Sequence, residues 1–211
     1  MRHRLATWVA FATFIFLSAP NTSQAGDPTE RIRFVVEQGI EILNDTKLKS
    51  KNGKQVYLDR LREIVFPLVN FPEMARRSLG FHWRQLSPEE RQEYVTLFTN
   101  LLERSYAGKI DLYEGETVVF LREAVEDNYA RVDSKIIDKK GEEYSVDYKL
   151  LRTNGDWRIY DVVVENISLV NNYRSQFNRV ISNSSYENLI KRINEKLKEL
   201  EGSNHSSNSP T

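Results

Sequence analysis

Few side chains in this sequence have the type and spacing to do chemistry. Of three histidines, His3 and His205 lie near the two ends, and His82 alone remains for the folded body. A Ser–His–Asp or Cys–His arrangement would have to use His82, and its neighbours Phe81 and Trp83 favour a structural place for it. The chain has no cysteine, so a zinc site of histidines and cysteines lacks ligands and no disulfide can form. No Gly-x-x-x-x-Gly-Lys stretch is present, which excludes nucleotide hydrolysis through a P-loop. Asp161 and Glu165 alternate with Ile159 and Val163, and a pair of carboxylates could act in acid–base catalysis. A strand edge facing solvent or a rim is the plainer reading. The Arg76–Arg77 pair could grip a phosphate through its guanidinium forks, against the plainer reading of a solvated helix face.

The elements that must position these groups change period along the chain. Asp27–Pro28–Thr29–Glu30 predicts a helix start with Asp as N-cap and Pro in the first turn, followed by Ile32, Val35, Val36, Ile40 and Leu43 at helical spacing. After the polar break "LKSKNGK", a second helix carries Leu58, Leu61 and Val65 and ends near Phe66–Pro67. A short third helix, "FPEMARRSLG", stops at Gly80. Ser87–Pro88–Glu89–Glu90 has capping-box spacing and opens the longest helix. After Gly115 the period becomes two, predicting strands at 117–125, 129–137, 144–152 and 156–164, joined by "EDN", "DKKGEE" and "TNG". Helices from Leu169 to Ile181 and from Ser185 to Leu200 follow. The expected fold is α+β, a twisted four-stranded antiparallel meander with helices packed on one face. Its N-terminal helical subdomain covers residues 27–113, the sheet 117–164 and the C-terminal helices 168–200, all in a single domain of residues 26–200.

Apolar surface is abundant. One alternating strand face reads Val118, Phe120, Ala130, Val132, Ile136, Val146, Tyr148, Leu150, Tyr160, Val162 and Val164. Opposite it are expected Phe66, Phe71, Met74, Phe98, Leu102, Tyr106, Leu169, Tyr173 and Phe177. Patterning of this kind serves an ordinary core and a lined cavity equally well.

The ends read separately. Arg2, His3 and Arg4 precede the apolar run Leu5–Leu17, and Ser23 and Ala25 occupy the −3 and −1 positions of a cleavage site. That order predicts an export signal over residues 1–25. The 13-residue apolar run is short of the roughly 20 residues of a membrane span. Residue 26 is Gly rather than the Cys of a lipoprotein. The first 25 residues carry two of the 30 basic residues and no acid, leaving 28 basic against 30 acidic residues. That balance argues against a nucleic-acid binder. "GSNHSSNSPT" predicts a disordered tail over residues 201–211.

Two stretches, "FPLVNFPEMARRSLGFHWRQLSPEERQEYVTLF" and "WRIYDVVVENISLVNNYRSQF", resemble the MlaC family, also called the toluene-tolerance auxiliary family. The resemblance runs from about Asp27 to Leu200. It is most specific at Leu79–Gly80 to Trp83, Leu86–Ser87–Pro88, Trp157, Tyr160–Asp161–Val162, Glu165 and Ser168–Leu169. The family usually has Gly where this chain has Asn166, the next most readily accommodated residue in a turn of positive φ. The resemblance implies a periplasmic phospholipid carrier without enzyme activity or cofactor, holding phospholipid as cargo in a deep apolar pocket. It further implies a shuttle between an outer-membrane lipoprotein–porin complex and an inner-membrane ABC transporter with an MCE-domain ring. A carrier that hands over cargo is most simply a monomer. The residues alone also admit an enzyme with Asp161 deep in an apolar pocket, or a binding module for exported proteins.

Overall fold

The computed structural model describes residues 27–45, 54–107 and 113–206. The expected signal segment, most of the "LKSKNGK" break and residues 207–211 lie outside them.

Among the described residues, six helices, α1 (Pro28–Asn44), α2 (Lys54–Val65), α3 (Phe71–Leu79), α4 (Pro88–Ala107), α5 (Leu169–Asn183) and α6 (Tyr186–Ser206), flank a five-stranded antiparallel sheet. Its strands are β1 (Thr117–Glu126), β2 (Tyr129–Ile137), β3 (Glu143–Thr153), β4 (Asp156–Val164) and β5 (Ile167–Ser168), in that spatial order. Short 3₁₀ turns at Phe66–Leu68 and Gly80–Gln85 link α2 to α3 and α3 to α4.

The caps explain where helices begin. Asp27 accepts from the Thr29 and Glu30 amides. At α4, Ser87 Oγ accepts from the Glu90 amide at 3.2 Å while the Glu90 carboxylate accepts from the Ser87 amide at 2.7 Å, the reciprocal box the spacing predicts. Asn70 Oδ1 caps α3 through the Glu73 amide at 3.1 Å. Gly80 ends α3 at φ 57°, ψ −122°. A side chain there would also place its Cβ 2.8 Å from Arg174 Nε. Helix α6 runs to Ser206, so residues 201–206, expected as part of a disordered tail, continue the helix instead.

The fifth strand corrects the four-stranded expectation. Glu165 and Asn166 form a two-residue reversal at φ 47° and 63°, and Ile167 folds back to pair with Val164. A two-residue segment carries no alternation to read. The strands also contain two bulges. Leu121 is extra on β1, because Phe120 pairs with Ser134 and Arg122 with Asp133. Tyr160 is extra on β4, because Asp161 pairs with Lys149 and Ile159 with Leu150. Each bulge reverses the alternation of its strand.

Two hydrophobic cores result. The sheet core joins Ile32 and Val35 of α1 and Leu68 to Ala130, Val132, Leu150, Trp157 and Ile159. The helical core joins α3, α4, α5 and α6 around Tyr94 and Phe98, whose rings stack 5.9 Å apart at 13°. Asn70 ties the two together. Its amide donates to the Ile159 carbonyl at 2.8 Å, and its side chain donates to Thr153 Oγ1 at 3.1 Å.

Candidate functional site: an apolar sheet face and its pinned corner

The strand–turn–helix at residues 156–183 is held by one carboxylate. Asp161, 3% exposed, accepts from the Val170 amide at 3.1 Å, Ser168 Oγ at 2.7 Å and Lys149 Nζ at 3.1 Å. Ser168 in turn caps α5 through the Asn171 amide at 3.0 Å. Both Asp161 oxygens are thus committed to fixing α5 against β4. Glu165, its potential partner in catalysis, lies exposed at the turn and accepts from the Ser145 amide at 2.5 Å.

The other candidate groups are similarly engaged. His82 is buried, with Nε2 3.0 Å from Asn178 Oδ1 and its ring 3.8 Å from that of Phe81. Arg76 and Arg77 both converge on Glu73 at 2.7 Å, and the Arg77 guanidinium lies 4.0 Å over the Tyr160 ring. Burial alone would raise the Glu73 carboxyl, yet the hydrogen bonds and charges of the two arginines hold it below its usual range. Among the described residues no group of three acidic, His or Cys side chains could hold a metal ion.

The apolar residues expected to face one another divide between the two cores. Met74, Phe98, Leu102 and Phe177 are buried in the helical core, with Phe71, Tyr160, Leu169 and Tyr173 packed against it. Val132 and Leu150 are buried in the sheet core, with Tyr148 and Val162 packed against that one. Phe66 contacts Phe71, ring centroids 4.7 Å apart, Val146 is buried and Tyr106 is exposed. The bulge explains why Tyr160 leaves the predicted face. As the extra residue it turns to Arg77 and the helical core, while Ile159 and Trp157 join Val162 on the sheet core. Strict alternation missed both, and no signal in β4 marks which residue is extra.

A further feature distinguishes the sheet core. Val36, Ile64, Phe120, Tyr148 and Val162, drawn from five different elements, pack against it but stay only half-buried. Tyr148 lies deep enough that burial pushes its phenol up, against the opposing pull of Ser134, yet its side chain keeps accessible surface. Along the same face the apolar row continues to Tyr144, Val164 and Ile167, exposed by 41%, 46% and 65%. The row runs from a buried floor to an open edge.

The mixed helix and antiparallel-sheet architecture is that of a solved phospholipid-binding protein from Ralstonia solanacearum, determined in complex with a phospholipid. The two align with a TM-score of 0.74 and 25% identity, covering 83% of this chain and 99% of that one. The family model "MlaC protein" matches residues 33–195, and the chain belongs to the MlaC family. It is 21% identical over 198 residues to the intermembrane phospholipid transport system binding protein MlaC of Haemophilus influenzae, covering 90% of this chain and 92% of that protein. It is 25% identical over 142 residues to the toluene tolerance protein ttg2D of Pseudomonas putida, covering 65% and 66% respectively.

Proposed function

We propose that the protein is a periplasmic phospholipid carrier, in which the half-buried apolar row over the sheet core lines a recess for acyl chains. The observation that carries this reading is that five apolar side chains from α1, α2, β1, β3 and β4 pack against one buried floor without being sealed by it. Two acyl chains of about 15 methylenes, at roughly 0.8 kcal/mol each, cost on the order of 20 kcal/mol to expose to water. No headgroup contact offsets that, so a carrier must cover both tails. Sheet and helix are suitable walls because their backbone polar groups are already paired. In this reading Val132, Val146, Leu150 and Ile159 form the floor, while Phe120, Tyr148 and Val162 meet the tails. Met74, Phe98, Leu102 and Phe177 then serve as the rigid helical core that supports the corner. The cargo is phospholipid with no cofactor, and lipid passes passively between an outer-membrane lipoprotein–porin complex and an inner-membrane MCE-domain ABC transporter. Asp161, spent on three hydrogen bonds, acts as a structural pin and not as an acid or base.

Val162→Glu and Tyr148→Glu test the face. Each should leave a folded protein with at least tenfold less extractable phospholipid, since a buried charge in the recess opposes the tails. Undiminished phospholipid in both folded variants would show that the tails lie elsewhere.

A further inference from the structure

Helices α4 and α6 border an open groove of about 360 Å³ in the helical half of the molecule. It is lined by Glu93, Tyr94 and Leu97 of α4 and by Tyr186, Glu187 and Ile190 of α6, so each helix contributes a tyrosine, a glutamate and an aliphatic side chain within about one turn. None of these residues belongs to the sheet core.

The groove is apolar inside and negative at its rim. Glu93 and Glu187 are exposed, and among the described residues no lysine or arginine pairs with them or with neighbouring Glu90. Lys191, the nearest cation along α6, is turned to Glu195 at 3.9 Å. Burial first, and then the charges of Glu90, Glu93 and Glu187, push the Tyr186 phenol up to about 12. The same field that disfavours a phenolate there favours a cation. The Tyr94 hydroxyl is taken by Ser78 at 2.8 Å, leaving the Tyr186 ring as the polar-tipped aromatic surface at the opening.

We propose that this groove docks a basic, apolar-flanked segment of a partner protein, seating one arginine or lysine side chain. Its aliphatic stem lies along Leu97 and Ile190, and its cation sits over Tyr186 between Glu93 and Glu187. The volume is near the small end of ligand clefts, suited to one long side chain and an apolar neighbour. The negative rim repels the phosphate of a phospholipid. A carrier docked here keeps the sheet face free, and the site stands whether or not that face holds lipid.

Titration of the ¹⁵N-labelled protein with the probe acetyl-Leu-Arg-Leu-amide, followed by amide NMR, tests this. Shifts should concentrate on Glu90–Leu97 and Tyr186–Asn194. Acetyl-Leu-Gln-Leu-amide should bind about fivefold more weakly, and the Glu93→Gln/Glu187→Gln protein should lose that difference at unchanged Tm and unchanged phospholipid content. No shift in these segments up to about 10 mM probe, equal binding of the two peptides, or tetramethylammonium binding as tightly as the arginine peptide would each overturn the proposal. Phospholipid extracted from the same samples reports on the carrier reading separately.

Discussion

Replacing Asp161 with alanine removes an acceptor on which three elements converge. The carboxylate is 3% exposed and accepts from the Val170 amide, Ser168 Oγ and Lys149 Nζ at 3.1, 2.7 and 3.1 Å. A hydrogen bond to a charged group contributes about 1.5–3 kcal/mol. The Lys149 contribution is discounted, because that side chain is 32% exposed and can rehydrate. The Val170 amide is buried and is left without its acceptor, at a further cost of about 1–3 kcal/mol. Taken at the low end of these ranges for the two undiscounted bonds and the orphaned amide, the net expectation for Asp161→Ala is about 4 kcal/mol. At about 2–4 °C per kcal/mol for a domain of this size, Tm falls by about 8–16 °C. Asp161→Asn keeps an acceptor for the amide and should lose about half as much. Urea unfolding followed by circular dichroism gives the free energies, with phospholipid content measured on the folded variants. A loss below about 1 kcal/mol for alanine would refute the pin. Full stability of the asparagine variant with loss of a catalytic turnover would favour the enzyme reading instead.

Other consequences are separable from that one. Gly80→Ala should cost about 1–3 kcal/mol, because φ 57° with ψ −122° is strained for any residue with a Cβ. Arg174→Ala in the same chain should restore little, since the arginine end can swing aside and the backbone cannot; a Gly80→Ala variant within about 0.5 kcal/mol of the parent in urea unfolding would contradict this. Glu73 has a depressed folded pKa against the usual 4.5. Its contribution is therefore complete above 4.5 and is lost as pH falls through the lower folded value. Glu73→Gln should cost about 1 kcal/mol at neutral pH and flatten the acid limb of the stability curve, and parallel limbs for the two proteins would exclude the linkage.

The elements that could be read from the sequence were those with a long period or a strong cap. Ser87 and Glu90 predict the start of α4, and the four longer strands lie within one residue of their predicted ends. The features hidden in sequence are those set by pairing between strands. A bulge is the choice of one residue to go unpaired, and Tyr160 differs from Ile159 in no way that marks it as the extra one. From that single shift follow the transfer of Tyr160 to the helical core and the arrival of Trp157 and Ile159 on the sheet core. The helix residues Met74, Phe98 and Phe177 are apolar at helical spacing whether they face a sheet or one another, so composition could not separate a second core from a facing wall. The Asn166 corner was legible through the resemblance to a family that usually has Gly at this position, and Asn166 takes φ 63° there.

Native mass spectrometry of residues 26–211, purified from an exporting host and followed by solvent extraction, tests the central claim most directly. A stoichiometric mass increment that extracts as diacyl phospholipid is the predicted result. An apo mass from a folded protein that also takes up nothing from added phospholipid vesicles would contradict it.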